Sequence, residues 1–331
     1  MTDVDVTNAV SVGNPLLELK DLKTYFYTSS GVVRAVDNVT LNINHKESLG
    51  LVGESGCGKS TVAFSIMKLI PRPGKIVAGQ ILLEGEDLVN KDEEHMRKIR
   101  GSRIAMSFQD PMTYLNPVRT IGDQVAEAIL LHQNVGKSQA LEQAIRALEL
   151  TQIPSAEEKA RSYPHQLSGG MRQRALIAMA LACQPGLLIA DEPTTALDVL
   201  VQDEILDLMI ELQQKLGTSI LLITHDLGVV ARVSDKVAVM YAGRIVEYSD
   251  TRSIYKEPQH PYTIGLIGST PRLDVKSTRL RSIEGNVPSL VSPPPGCRFH
   301  PRCPYSKERC KRDEPRFVQI AAEHYVLCHK S

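Results

Sequence analysis

The chain has 331 residues, 42% of them hydrophobic and 23% charged, with 38 basic and 38 acidic side chains in formal balance. That is globular composition with length for two domains or one elaborated domain, and a net charge of zero gives no electrostatic reason for a nucleic-acid surface. No apolar run approaches the roughly 18–20 residues that span a bilayer, and the polar N-terminus lacks a signal-peptide pattern, so the expectation is a cytosolic chain that meets a membrane only through partners.

Residues 1–15 are polar and aperiodic and read as a disordered tail. Leu16 to Tyr27 and Val32 to Ile43 alternate apolar and polar residues around Ser29-Ser30-Gly31, the pattern of antiparallel strands joined by a turn. Tyr25, Phe26 and Tyr27 lie in the first of them. Alternation from Leu22 puts Phe26 on one face and the two tyrosines on the other; an aromatic here can stack on a purine base, although a single strand aromatic is usually core.

Ser48 to Val52 is a short apolar run of buried-strand type, and Val62 to Ile70 is free of breakers until Pro71. Between them stands Gly53-Glu54-Ser55-Gly56-Cys57-Gly58-Lys59-Ser60-Thr61, a G-x-x-x-x-G-K-S match in the strand–loop–helix context that makes it a phosphate-binding loop. Glycines let backbone N–H groups approach phosphate oxygens, and the helix start adds its positive dipole end. Lys59 supplies a point charge for the β- and γ-phosphates and Ser60 a hydroxyl for Mg²⁺.

Ile76 to Leu88 reads as a second hairpin, Lys91 to Arg100 as an exposed helix, and Ile104 to Phe108 as a buried strand ending in Gln109-Asp110-Pro111. From Gly122 to Leu150 the period becomes helical, with Val125, Ala128 and Ile129, then Leu141, Ile145 and Leu148, at three- and four-residue steps. Leu167-Ser168-Gly169-Gly170 opens another helix, with Ser168 as N-cap and free N–H groups at an unfinished anion cradle. Leu187 to Ala190 is a buried strand ending in Asp191 and Glu192, where ligands sit in open α/β sheets; Asp191 is placed to hold Mg²⁺ and Glu192 to polarise a water. Thr195 to Asp198 leads into a helix, Ser219 to Thr224 is a strand ending in His225, and the pair Lys236–Tyr241 and Arg244–Glu247, turning at Ala242-Gly243, closes the sheet. Neutral His225 can bond the γ-phosphate or the attacking water. Cys297, Cys303, Cys310 and Cys328 crowd a Pro- and charge-rich C-terminus. In a cytosolic setting four such thiolates suit tetrahedral Zn²⁺ or an iron–sulfur cluster, and no pair has the short spacing of zinc sites; His300, His324 and His329 are substitute ligands.

Together and in this order, over residues 16–255, the motifs resemble those of the ATPase subunits of ABC transporters. Walker A matches Gly53–Ser60, the Q-loop Gln109, the signature Leu167–Gly170, Walker B Leu187–Asp191, the catalytic glutamate Glu192, the D-loop Ala196-Leu197-Asp198, the switch histidine His225 and the A-loop aromatic Phe26. The resemblance implies an α/β P-loop NTPase with an antiparallel β-subdomain and a helical subdomain at about 110–183 that grips membrane subunits. It also implies that ATP and Mg²⁺ lie between Walker A of one chain and the signature of another. Gln259-His260-Pro261-Tyr262-Thr263, the prolines of 288–295 and the cysteine-rich tail make 256–331 similar to the C-terminal extension of dipeptide and oligopeptide permease ATPases. That subfamily works at the cytoplasmic face of the membrane with two transmembrane permease subunits, an extracytoplasmic substrate-binding protein and a second, related ATPase; nickel-import ATPases share these features. Some members with a similar tail carry a [4Fe–4S] cluster, which favours iron–sulfur over Zn²⁺. Two other classes compete. Soluble ABC proteins acting on ribosomes or DNA carry tandem ATPase domains or a long coiled-coil insertion, and neither is in this sequence; a metal-sensing module would be built around the cysteines.

Overall fold

The computed structural model describes residues 15–108, 110–195, 197–269 and 283–330. The expected N-terminal tail thus lies outside the described residues except for Pro15, as do Gln109 and Ala196. Twelve strands occur among the described residues: β1 (Pro15–Thr28), β2 (Gly31–Asn44), β3 (Ser48–Val52), β4 (Gly74–Leu83), β5 (Glu86–Asp87), β6 (Ile104–Ser107), β7 (Leu187–Asp191), β8 (Ser219–Thr224), β9 (Lys236–Tyr241), β10 (Arg244–Asp250), β11 (Phe317–Ala321) and β12 (His324–Leu327). The chain divides into two units, residues 1–44, 48–90 and 223–331 in the first, 45–47 and 91–222 in the second.

In the first unit β1 and β2 pair antiparallel because each presents apolar residues to the same side: Leu17, Leu19, Leu22, Val36, Val39 and Leu41 are fully buried. With β4 and β5 they make an antiparallel sheet of order β2-β1-β4-β5. The helix Lys59–Ile66 is tied to it by a buried hydroxyl pair, Thr24 Oγ1 to Ser65 Oγ at 2.8 Å. A second set of strands runs β11-β12-β10-β9-β3. Here β3, buried at every position, lies parallel to β9, with Leu49 opposite Lys236 and Val52 opposite Val239. The β9–β10 turn places Ala242 at φ 46° and Gly243 at φ 83°, the two successive positive φ values that a tight hairpin between twisted strands requires.

The sequence reads as ending its sheet at that hairpin, and the structure corrects this. β12 pairs with β10, Glu247 opposite Val326 and Tyr248 opposite Tyr325, and β11 pairs with β12. The C-terminal segment has few large apolar residues, but they are well spent: Phe299, Tyr325 and Val326 are at most 4% exposed. The polar residues among them are buried in pairs. His324 Nε2 meets Glu247 Oε1 at 2.8 Å, and Arg298 bonds Asp37.

The second unit holds the parallel pair β6–β7, Ile104 opposite Leu187 through Ser107 opposite Ala190, and a set of helices. The helix Glu93–Ile99 starts on Asp92, whose carboxylate accepts from the His95 N–H at 2.8 Å, with acids in its first turn and bases in its last. It is amphipathic rather than wholly exposed, since Met96 and Ile99 are buried. The helices Ile121–His132, Lys137–Leu150 and Gly169–Leu181 share one apolar core. Of the expected face on Lys137–Leu150, Leu148 is buried and Ile145 packs against the core, whereas Leu141 is 40% exposed. Ala140 and Ala144 take the remaining inner positions, small residues at a four-residue step that let helices approach closely.

Candidate functional site

The loop after β3 is shaped by what surrounds its glycines. A Cβ on Gly58 would stand 2.1 Å from the Ala35 carbonyl oxygen, and one on Gly53 equally close to the Met240 oxygen. Gly58 also holds φ 112°, a conformation side chains rarely adopt. On the open side of the loop, a Cβ on Gly56 would meet nothing within 4 Å. The Gly243 N–H donates to the Cys57 carbonyl at 2.8 Å, so the β9–β10 turn buttresses the loop. Lys59, 5% exposed, donates from Nζ to the carbonyls of Gly53 (2.8 Å) and Glu54 (3.1 Å). Both of these partners are neutral carbonyls, which orient Nζ without adding a competing charge. Burial pushes the Cys57 thiol up, so it adds no competing negative charge.

Glu54 is the one acid of the loop. Its backbone N–H donates to Tyr262 Oη at 2.8 Å, and its carboxylate takes two bonds from Arg302, at 2.7 and 3.0 Å. Neither partner was identified as part of the site from sequence: they lie 208 and 248 positions away, and no spacing rule connects them. Ser55, Ser60 and Thr61 complete the loop and the first helical turn. Phe26 is half-buried, with its ring against the Gly74 backbone: a Cβ there would lie 2.6 Å from Phe26 Cε1. Tyr25 is committed elsewhere, donating to Asp37 Oδ1 at 2.8 Å, and burial with that bond pushes its hydroxyl up to about 12. Tyr27 is 49% exposed. His225 follows β8 on the surface of this unit.

In the second unit Ser168 caps the helix Gly169–Leu181, its Oγ accepting from the Met171 N–H at 3.3 Å, and Leu167 anchors the turn at 3% exposure. Ser168 and Gly169 are exposed, so the free N–H groups of this helix start face solvent. Asp198 caps the helix Val199–Leu216 through the Val201 N–H at 3.0 Å. The two helix starts lie side by side: a Cβ on Gly170 would press to 2.7 Å from Val201 Cγ1. Asp191 ends β7 at 5% exposure, and Glu192 stands at φ 47° with its carboxylate accepting from Thr195 Oγ1 at 2.9 Å. Gln109 lies outside the described residues. Ser60 and Asp191 are hard oxygen donors of the kind Mg²⁺ takes.

The tail cysteines Cys297, Cys303, Cys310 and Cys328 line one pocket, with His300 and His329 at its wall. The Cys297 N–H donates to the Cys310 carbonyl at 2.9 Å, closing that part of the chain on itself. Burial pushes the Cys297 thiol up to about 11, with the neighbouring thiols adding to the rise. Soft donors are therefore gathered, but among the described residues no three His, Cys, Asp or Glu side chains stand in a metal-holding arrangement. Nor is any helix among them long and apolar enough to cross a membrane.

Residues 36–195 match the family model described as ABC transporter, and residues 246–310 the one described as oligopeptide/dipeptide transporter, C-terminal region. The chain is 49% identical to the probable peptide ABC transporter ATP-binding protein y4tR of Sinorhizobium fredii, over 96% of this chain and 95% of that protein. It is 49% identical to the dipeptide transport ATP-binding protein DppD of Bacillus subtilis, over 95% and 94%. Among solved structures it is similar to the dimeric post-hydrolysis state of the ATP-binding cassette MJ0796 bound to ADP and Pi. The TM-score there is 0.64 at 27% identity, over 71% of this chain and 99% of that one.

Proposed function

Because the chain belongs to the ABC transporter ATP-binding proteins, a family of ATPases, we propose that it energises an importer of dipeptides or oligopeptides. The observation that carries the cargo class is the match of residues 246–310 to the C-terminal region of oligopeptide/dipeptide transporters. In this reading the Gly53–Thr61 loop and Lys59 bind the phosphates of ATP, and Phe26 stacks on the adenine. Glu192 polarises the attacking water, with His225 and Gln109 as its partners at the γ-phosphate. Ser60, Gln109 and Asp191 would hold Mg²⁺, which would supply charge neutralisation to the phosphates when bound. The exposed helix start at Leu167–Gly170, with Asp198 beside it, serves the nucleotide of a second, related ATPase subunit, which explains why so good an anion cradle faces solvent. Two permease subunits and an extracytoplasmic binding protein complete the importer, and the chain sits peripherally on the cytoplasmic face of the membrane.

The cysteine-rich C-terminal extension is the second part of the proposal. Its four thiols would hold a [4Fe–4S] cluster, which supplies a structural staple and takes no part in phosphoryl transfer; Zn²⁺ is the alternative. Anaerobically prepared protein should then be brown, with roughly four iron and four sulfide per chain; a colourless protein with one tightly held zinc would replace the cluster and keep the ligand set.

The importer reading is tested in vesicles carrying the permease subunits and both ATPases. ATP hydrolysis should rise when the binding protein is loaded with peptide. A rise with nickel alone would change the cargo, and co-purification with ribosomes or nucleic acid in place of hydrophobic subunits would overturn the reading.

A further inference from the structure

Arg302 is a long basic side chain that is only 5% exposed, and its guanidinium is fully engaged. Besides its two bonds to the Glu54 carboxylate, Nε donates to the Glu284 carbonyl at 2.9 Å and Nη2 to the Ile283 carbonyl at 3.2 Å. The guanidinium also lies 5.8 Å from the centre of the Tyr241 ring, whose hydroxyl accepts from Nη1 at 3.5 Å. Tyr241 packs at 4.6 Å between ring centres on Tyr262, which is the residue that accepts from the Glu54 N–H. Phe299 closes the cluster at 5.2 Å from Tyr241. One loop residue is therefore gripped by side chain and backbone at once, from a part of the chain outside the loop, its strand and its helix.

What Glu54 does with its third polar group gives this grip a consequence. Its carbonyl accepts from Lys59 Nζ, so the residue held by Arg302 and Tyr262 is also one that holds the phosphate-binding ammonium. Glu54 is moreover an acid in a loop built for anions. Left unpaired, its charge would oppose the incoming phosphates in surroundings that screen it poorly. The paired fork of Arg302 cancels that charge and fixes the side chain's direction.

We propose that Arg302 is a positioning residue of the ATP site, acting through Glu54 to shape the phosphate-binding loop and to neutralise its one acid. This rests on the reading of Gly53–Thr61 as the ATP site and goes beyond it, because it makes the C-terminal segment a working part of that site. Arg302 touches no reacting atom, so its loss should appear in nucleotide affinity and leave kcat at saturating ATP close to wild type.

The test titrates the full chain with a fluorescent ATP analogue and measures ATPase kinetics in the assembled transporter. Wild-type binding that is lost in Lys59→Ala establishes the loop as the site; its absence would sink the functional reading instead. Given that binding, Arg302→Gln should weaken affinity by roughly tenfold, the scale of a lost charge-assisted pair in a partly buried setting. Arg302→Lys, which keeps charge without the fork, should fall between. The double variant Glu54→Gln/Arg302→Gln removes the unpaired acid and should recover most of the affinity lost in Arg302→Gln. Wild-type affinity in Arg302→Gln, or a double variant no better than the single one, would overturn the proposal, the latter by reducing Arg302 to tail packing. Should Arg302→Gln fail to fold by circular dichroism, the comparison of Arg302→Lys with the double variant decides the same question.

Discussion

Glu192 holds a backbone conformation, φ 47°, that a glutamate adopts only at some cost, and its carboxylate is steadied by the Thr195 hydroxyl at 2.9 Å. Such strain persists where the surroundings over-determine it and fits a side chain that must be aimed. Glu192→Gln keeps the shape and an oxygen that can still accept from Thr195, while removing basicity. Turnover should fall by roughly 10²–10⁴-fold with ATP affinity retained, the range that general-base assistance accounts for; turnover at the wild-type rate would remove Glu192 from the role of base. The residue type and its place after an apolar strand are readable from sequence, because Leu187–Asp191 is a short buried run ending in acids. The φ value is not, since it follows from how residues 192–195 turn away from the strand. Glu54 shows the same limit. Its place in the loop is visible at once, but its partners come from Tyr262 and Arg302, and only the folded chain brings them together.

At the scale of elements, β10 and β12 are joined through a buried carboxyl group. Glu247, with no exposed surface, accepts from the backbone N–H groups of Gln259 (2.9 Å) and His260 (2.8 Å) and contacts His324 Nε2 at 2.8 Å. His260 itself is 1% exposed, and burial drives its imidazole down to about 4 even though Glu247 pulls the other way. Its Nδ1 accepts from the Tyr262 N–H at 3.1 Å, a bond that only the unprotonated nitrogen can accept. The folded chain therefore binds this proton less readily than the unfolded chain. The stability contributed is present above the ordinary histidine range and is lost as pH falls from about 6.5 toward about 4. The loss amounts to something on the order of 3 kcal/mol. His260→Gln should flatten that part of the pH–stability curve; urea unfolding at pH 7 and pH 5 measures it, and an unchanged slope would show that His260 does not carry the effect. Strand alternation made β1 and β2 legible from sequence, and the turn at Ala242-Gly243 did so for the β9–β10 hairpin. β11 and β12 were missed because Phe317–Ala321 and His324–Leu327 are short and become strands only by pairing, β12 onto β10 and β11 onto β12.

At the scale of the whole molecule, the Gly53–Thr61 loop and the C-terminal segment meet through Glu54 and Arg302, which lie 248 positions apart in sequence. Arg302 N–H donates to the Phe299 carbonyl at 3.0 Å and Cys303 N–H to the His300 carbonyl at 3.3 Å, so the turn that presents the guanidinium is also a wall of the cysteine pocket. If the Arg302–Glu54 pair makes ATP bind more tightly, linkage requires that ATP in turn favour the paired form of the segment by the same factor. The amides of Arg302 and Cys303 exchange with solvent when that turn opens, so exchange should slow when ATP is added to the isolated chain. For a tenfold effect of the pair on affinity, the slowing should approach about tenfold where opening limits exchange. Lys59→Ala, which removes ATP from the loop, should abolish the slowing, and Arg302→Gln should remove it even at ATP concentrations that saturate the variant. The β11–β12 amides serve as the internal reference, since they lie in the same C-terminal segment but belong to a hairpin that pairs with β10 through β12. Equal exchange of Arg302 and Cys303 with and without bound ATP would show that the segment and the loop, though in contact, are energetically separate.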